Sequence, residues 1–193
     1  MSQAFVPSRV GDAPLKKVHL FFVLLTATSI YAAGQARSTA SRAGDLQIGG
    51  GYSIGKADYL TNRLRGFNFY TDFDFLPNWG VELNFHQLND SSGTEVYERS
   101  YEVGGRYVRH YGRFNPYIKG LYGRGVYNFY HSQANLAYNM LVGGGGLDFA
   151  VHRRVNVRAD YEYQHWMGFQ YSGLNPQVFT IGAAYHFGPG KPQ

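Results

Sequence analysis

A two-residue alternation of apolar and polar side chains constrains this chain more than any other feature. Its clearest segment reads RVNVRADYEYQ, from Arg154 to Gln164. Val, Ala and Tyr hold every second position from Val155 to Tyr163, and Asn, Arg, Asp and Glu hold the positions between them. Because successive side chains of a β-strand point to opposite faces, this pattern predicts a strand with one apolar face and one polar face.

The same alternation recurs after residue 43 and predicts eight strands. Their alternating positions lie within 46–54, 67–75, 81–86, 101–107, 117–127, 141–151, 154–164 and 179–187, and the parity of 117–127 is blurred. Three short connections, at 76–79, 110–115 and 152–154, alternate with four longer ones, at 56–64, 89–96, about 131–137 and 165–176. An even number of strands with short turns at one end and longer loops at the other is typical of an up-and-down barrel in the outer membrane.

Composition indicates which face of these strands meets lipid. Aromatic residues make up 17% of the chain, and charged residues only 16%. The polar positions hold mainly Gly, Asn, Ser, Thr and Gln with a few ions, which suits the narrow interior of an eight-stranded barrel. Aromatic side chains near strand ends, such as Trp79 and Phe187, are typical of a membrane interface. We therefore expect an all-β fold, an eight-stranded antiparallel up-and-down transmembrane β-barrel, with a soluble periplasmic lipocalin-like carrier as the alternative.

The N-terminus predicts export from the cytoplasm. Two lysines precede an apolar run from Leu20 to Ala33, which is short for a membrane-spanning helix and typical of a cleavable signal peptide. Cleavage is expected after Ala36, with Gly34 and Ala40 as alternatives. The predicted organisation is a signal peptide at 1–36, a short segment at 37–43, the barrel at 44–187 and a periplasmic tail at 188–193. Both ends of the barrel should then face the periplasm.

Charged residues at polar positions predict an ionic network inside the barrel. Its ten members are Asp72, Asp74, Glu82, Glu102, Arg106, Lys119, Asp148, Arg158, Asp160 and Glu162. Arg106 and Arg158 are the expected centres, because a guanidinium can bridge two carboxylates. Acids outnumber bases, and an inward Lys119 would reduce the excess. Buried ions need partners, so we interpret the network as a plug that fixes strand register, with a proton or ion pathway as the alternative.

Two short stretches resemble a known family. The last strand reads TIGAAYHF, and its Thr180, Gly182, Tyr185 and Phe187 resemble the assembly signal of outer-membrane barrels. The stretch RFNPYIKGLYGRG, at 113–125, resembles the fifth strand of the OmpA-like eight-stranded outer-membrane β-barrel domain family. The resemblance implies insertion by the outer-membrane barrel assembly machinery with help from periplasmic chaperones. It departs from many such barrels in that GPGKPQ follows the terminal aromatic residue.

The sequence favours a structural or surface-interaction role over catalysis. His131 and Ser132 are adjacent, so their side chains should point apart in an extended segment. The histidines lack metal-ligand spacing, and GGGG at 143–146 lacks the lysine and helix start of a phosphate loop. We therefore expect no catalytic residues, no metal and no cofactor. A lipid-modifying hydrolase or acyltransferase is the enzymatic alternative.

The expected partners follow from the same interpretation. They are outer-membrane lipid and an unidentified extracellular ligand of the loops. The net charge of +5 is mild and the basic residues are scattered, so a nucleic-acid partner is not expected. An open pore is not expected either, because water-filled channels need many more strands.

Overall fold

The computed structural model describes residues 44–58, 62–90, 96–128, 135–168 and 173–187. The strands are β1 (Asp45–Lys56), β2 (Leu64–Asp74), β3 (Trp79–Asp90), β4 (Tyr97–Val108), β5 (Phe114–Asn128), β6 (Asn135–His152), β7 (Val155–Trp166) and β8 (Gln177–His186). Each strand pairs antiparallel with the next, and β8 pairs with β1, so the sheet closes. The predicted all-β, eight-stranded, up-and-down barrel is therefore confirmed. The predicted segments 1–36, 37–43 and 188–193 lie outside the described residues.

The two ends of the barrel differ in their connections. We call the end with the short connections 75–78, 109–113 and 153–154 the turn end, and β1 begins and β8 ends there. The opposite end, joined through 57–63, 91–96, 129–134 and 167–176, is the loop end. No helix among the described residues is long and apolar enough to cross a membrane.

Several strands extend into the predicted connections. β3 ends at Asp90, inside the predicted connection 89–96, and β7 ends at Trp166, inside the predicted connection 165–176. β5 begins at Phe114, inside the predicted connection 110–115, and β6 begins at Asn135, inside the predicted connection near 131–137. In the first residues of β6 the usual alternation is inverted. Asn135 and Asn139 are exposed on the outer face, whereas Leu136 is half-buried on the inner face. A pattern of apolar residues on one constant face therefore does not include the loop end of this strand.

The outer face of the barrel is covered with apolar side chains. Large residues at alternate positions are about half exposed; examples are Ile48, Phe69, Leu83, Val103, Ile118, Leu141, Tyr161 and Ile181. Aromatic pairs lie close to the turn end, including Trp79 with Tyr107, whose ring centroids are 5.0 Å apart. An apolar patch that encircles the molecule is far larger than a soluble monomer tolerates. This face therefore requires an apolar medium, and the closed sheet leaves no strand edge in that medium.

The interior contains two layers of different chemistry. Polar and charged side chains fill the barrel from the turn end to its middle. Apolar side chains predominate at the loop end, beside the buried polar side chains of Glu98 and Asn128. They form two buried clusters, made of Leu64, Leu88 and Val178 and of Val96, Leu121, Tyr127, Met140, Val142, Trp166 and Leu174. The alternation of apolar and polar residues did not predict this apolar layer, because it assigns apolar residues to the lipid face alone.

Inward glycines make room for the largest inward side chains. Gly146 lies opposite Tyr117 across the β5–β6 pair, and Gly144 lies opposite Lys119. A Cβ atom at Gly146 would be 2.7 Å from the Tyr117 hydroxyl oxygen. Gly144 and Gly146 therefore admit bulky neighbours inside the barrel.

Candidate functional site

Arg158 lies at the centre of the polar layer and is fully buried. Its Nε donates to Asp148 Oδ1 at 2.6 Å, and its Nη2 donates to Asp148 Oδ2 at 2.8 Å and to Asp72 Oδ2 at 2.6 Å. Its Nη1 is 3.5 Å from Glu82 Oε2. One guanidinium therefore ties β7 to β6, β2 and β3.

Arg106 shares two of these carboxylates from the opposite side of the lumen. Its Nη1 donates to Asp72, and its Nη2 donates to Asp148 Oδ2 at 3.0 Å. Asp74 lies at the edge of the group, 3.9 Å from Arg106 Nε. The ring of Tyr117 is 4.7 Å from the Arg106 guanidinium carbon and 4.8 Å from that of Arg158. Cation–π contacts of this kind add to the ion pairs in a desolvated site.

Lys119 forms the second centre of the network. The structure turns its side chain inward and leaves Ile118, Gly120 and Tyr122 on the outer face of β5. Its Nζ is 2.7 Å from Glu82, 2.8 Å from Asp160 and 2.6 Å from Glu162. Because Glu82 contacts both Arg158 and Lys119, the two centres form one continuous network.

The network extends further toward the loop end through His86, Gln164 and Ser100, which were not among its ten predicted members. His86 Nε2 is 3.0 Å from Glu162 Oε2. Gln164 donates to Glu102 and Glu162, and Ser100 donates to Glu102 at 2.7 Å. All of these side chains are buried. His86 follows Glu82 and Asn84 on the inward parity of β3, so its position in the alternation was the available signal.

The three side chains His86, Glu102 and Glu162 could hold a cation. Each offers one ligand atom, and these atoms lie within 4.8 Å of one another. They come from β3, β4 and β7, so no spacing along one segment of the sequence could have predicted them. This cluster is also explained as part of the plug. Ser100 and Gln164 donate hydrogen bonds to its carboxylates, and His86 forms an ion pair with Glu162.

The four residues of the predicted assembly signal divide between the two faces of β8. Thr180 hydrogen-bonds Ser53 of β1 at 2.7 Å inside the lumen. A Cβ atom at Gly182 would lie 2.4 Å from the backbone oxygen of Gly50, so glycine is needed where β8 meets β1. Tyr185 and Phe187 are exposed on the outer face, with ring centroids 5.1 Å apart.

The residues considered for catalysis and phosphate binding have other placements. His165 Nδ1 is 2.8 Å from Asn175 Oδ1 at the loop end. Residues 143–146 are the middle of β6. His131 and Ser132 lie outside the described residues.

Comparisons with known proteins agree on the fold. Ail, the attachment invasion locus protein of Yersinia pestis, has 23% sequence identity with this chain and a TM-score of 0.54, and the match covers 76% of this chain and 100% of Ail. The neisserial surface protein A matches at 12% identity and a TM-score of 0.61, over 75% of this chain and 97% of that one. OprG from Pseudomonas aeruginosa matches at 15% identity and a TM-score of 0.55, over 77% and 98%. A search of curated proteins finds no significant match.

Comparison with protein families is decisive for classification. Residues 21–187 match the outer membrane protein beta-barrel domain. That match and the apolar outer face favour an integral barrel over the soluble lipocalin-like alternative. This chain is therefore a member of the outer membrane protein β-barrel domain family and an outer-membrane protein.

Proposed function

We propose that this protein is a structural or surface-interaction barrel with a sealed lumen, and that it is neither a pore nor an enzyme. The observation that carries the proposal is the network around Arg106, Lys119 and Arg158, whose side chains are all buried. Each of the three cations bridges carboxylates from different strands. An interior filled in this way braces the barrel and leaves no wide aqueous path.

The apolar layer supports a sealed lumen independently. Trp166 and Met140 are fully buried near the loop end, and Trp166 Nε1 donates to Gln164 at 3.0 Å. An ion that entered from the loop end would lose its hydration among these side chains, which is costly. Eight strands also enclose just enough space for side chains.

The proposed orientation places both ends of the described barrel, at the turn end, in the periplasm. The four longer connections would then face the exterior and could contact a ligand there. Ail has been solved in complex with the heparin analogue sucrose octasulfate. That structure is a precedent for ligand binding by a barrel of this fold and supports a surface-interaction role.

Conductance measurements test the sealed lumen. We expect the folded protein to produce no stable channels in a planar lipid bilayer, whereas a general porin prepared in the same detergent should produce them. Stable channels from the folded protein would contradict the plug.

Incubation with lipopolysaccharide tests the non-catalytic role. Mass spectrometry should find the acyl chains unchanged after incubation with the folded barrel. Loss or transfer of an acyl chain would favour the hydrolase or acyltransferase alternative.

A further inference from the structure

One carboxylate of the ionic network differs from the others in its partners. Arg106, Lys119 and Arg158 form ion pairs with Asp72, Asp74, Glu82, Asp148, Asp160 and Glu162. Within the part of the chain that the structure describes, none of these cations pairs with Glu102, although this side chain is only 4% exposed. A buried carboxylate is costly unless its charge is compensated or removed. Glu102 therefore requires a cation or a proton from another source.

The two oxygens of Glu102 have different surroundings. Oε1 accepts hydrogen bonds from Ser100 Oγ at 2.7 Å and from Gln164 Nε2 at 3.3 Å. Oε2 is buried and has no hydrogen-bond partner among the described residues. A buried acceptor without a donor is destabilising. The same carboxylate thus lacks both an ion pair with a lysine or arginine and a donor for one oxygen, which indicates that a ligand belongs beside it.

His86 and Glu162 bring further ligand atoms to the same place. On the inner face of the β3–β4 pair, Glu102 lies opposite Asn84 and is a diagonal neighbour of His86. β7 lies across the lumen from β3 and contributes Glu162, whose Oε2 is 3.0 Å from His86 Nε2. One ligand atom from each of His86, Glu102 and Glu162 lies within 4.8 Å of the others. Barrel closure therefore assembles an imidazole and two carboxylates from three strands.

Gln164 holds the two carboxylates in this arrangement. Its Oε1 accepts the indole N–H of Trp166 at 3.0 Å. Because an indole nitrogen is only a donor, the amide nitrogen of Gln164 must face the opposite way. It lies 3.3 Å from Glu102 Oε1 and 3.4 Å from Glu162 Oε2. Outer hydrogen bonds of this kind commonly orient carboxylates that bind a metal, and this one leaves Glu102 Oε2 accessible to an ion.

The donor set favours zinc. Imidazole nitrogen and carboxylate oxygen are both ligands of Zn²⁺, which needs only three protein ligands when water supplies the fourth. Two ligand atoms of a tetrahedral zinc site lie about 3.3 Å apart, close to the 3.0 Å between His86 Nε2 and Glu162 Oε2. The largest separation, 4.8 Å, exceeds this spacing by about 1.5 Å, which rotation of the Glu102 side chain can close. Ca²⁺ fits less well because it prefers six to eight oxygen ligands.

We propose that His86, Glu102 and Glu162 bind one zinc ion inside the barrel, where the ionic layer meets the apolar layer. The ion compensates the charge of Glu102 and displaces a proton from between His86 and Glu162, as metal binding to imidazole generally does. Lys119 stays on the other oxygen of Glu162, Oε1, at 2.6 Å. The site requires these three side chains in place and does not require a sealed lumen.

Zinc content after refolding tests the site. The untagged chain is refolded in detergent with Zn²⁺, with Ca²⁺ or without added metal, and bound metal is measured by mass spectrometry after gel filtration. We expect one zinc ion for each folded barrel and no retained calcium. Because the metal is present while the barrel closes, the measurement needs no entry path through the folded protein.

Two pairs of variants with matched chemistry locate the ion. Glu102→Gln and His86→Gln should each weaken zinc binding at least about tenfold, since even the outer hydrogen bonds of a metal site are worth that much. Glu98→Gln, which changes a buried glutamate roughly 13 Å away along β4, should bind zinc normally. His165→Gln, at the loop end, should also bind it normally.

Folding and ligand identity are checked separately. Heat-dependent gel mobility establishes which variants are folded, and Glu102→Gln keeps an oxygen that can accept from Ser100 and Gln164. Zinc should raise the urea midpoint of the unmodified chain and of Glu98→Gln, because a ligand that binds only the folded state stabilises it, and should not raise that of Glu102→Gln. X-ray absorption should show a single imidazole with oxygen ligands at about 2.0–2.2 Å.

Four results would overturn the inference: zinc content no higher in the unmodified chain than in Glu102→Gln, equal loss in Glu98→Gln, equal retention of calcium, or a spectrum with several imidazoles, which would place the ion on other histidines. Conductance tests the sealed lumen in a separate measurement. A failure of the zinc site is therefore distinguishable from a failure of the plug.

Discussion

At the scale of single residues, the cost of a buried ion depends on the partners left behind. Arg158 joins Asp72, Asp148 and Glu82 inside the barrel. The ring of Tyr70 lies 3.9 Å from its guanidinium carbon. Arg153 has the same charge but is exposed in the connection between β6 and β7. The two arginines therefore form a matched pair for measuring the effect of burial.

We predict that Arg158→Leu lowers the free energy of unfolding by about 3–5 kcal/mol, because it leaves buried carboxylates without their counter-ion. Arg153→Leu should change it by less than about 0.5 kcal/mol. Urea midpoints from the gel-mobility shift of the folded barrel measure both effects. Equal midpoints for the two variants would contradict the central position of Arg158 in the network.

At the scale of elements, the last strand both closes the barrel against β1 and contains the predicted assembly signal. Gly182 packs against the backbone of β1, where a Cβ atom has no room. Tyr185 and Phe187 face outward and do not contribute to the lumen. The glycine therefore allows the close approach of β8 to β1. The aromatic pair faces outward, and we propose that it is the part recognised during assembly.

We predict that Tyr185→Ala combined with Phe187→Ala folds in detergent but reaches the outer membrane of cells at a lower level, because we propose that the assembly machinery recognises these aromatic side chains. Refolding yield in detergent and the amount of protein in outer-membrane fractions are the two measurements. Normal membrane levels would refute a recognition role for these side chains.

Glycine in the same strand provides the contrasting case. Gly182→Ala should lower the refolding yield in detergent as well as the amount in the membrane, because its Cβ meets the backbone of Gly50. The larger change Gly182→Glu should block assembly. If Gly182→Ala refolds normally and fails only in cells, its role lies in recognition and not in strand packing.

At the scale of the whole molecule, the barrel has an axis with distinct ends. Short connections, the first residue of β1 and the last residue of β8 lie at the turn end, and the four longer connections lie at the loop end. The ionic layer extends from the turn end to the middle, and apolar side chains predominate at the loop end. A protein inserted from the periplasm should keep the turn end on that side.

We predict that a cysteine in place of Ser92, in the connection 91–96, reacts with a membrane-impermeant maleimide on intact cells. A cysteine in place of Arg153 should react only after the outer membrane is permeabilised. The chain has no native cysteine, so each label reports a single position. The opposite pattern would contradict the proposed orientation.

Strong two-residue alternation made most of the fold predictable. In β2, β3, β7 and β8 one parity is apolar and the other polar, so their number, approximate bounds and facing could be derived without coordinates. The ends of β5 and β6 could not, because β5 carries aromatic residues on both faces and the alternation of β6 inverts near the loop end. A two-residue pattern cannot assign the faces of a strand where both faces carry similar side chains.

The sequence by itself determined that the chain alternates, closes on eight strands and turns its acids away from lipid, since each of these depends on the two-residue period of the backbone. Only the tertiary structure decided which acids share Arg158 and which share Lys119, and that His86 joins Glu162. It also decided that the outward Arg99 and Arg124 occupy diagonal positions across the β4–β5 pair. Those outcomes depend on strand register and on the curvature that brings distant strands across a narrow lumen, and neither is encoded in any single segment.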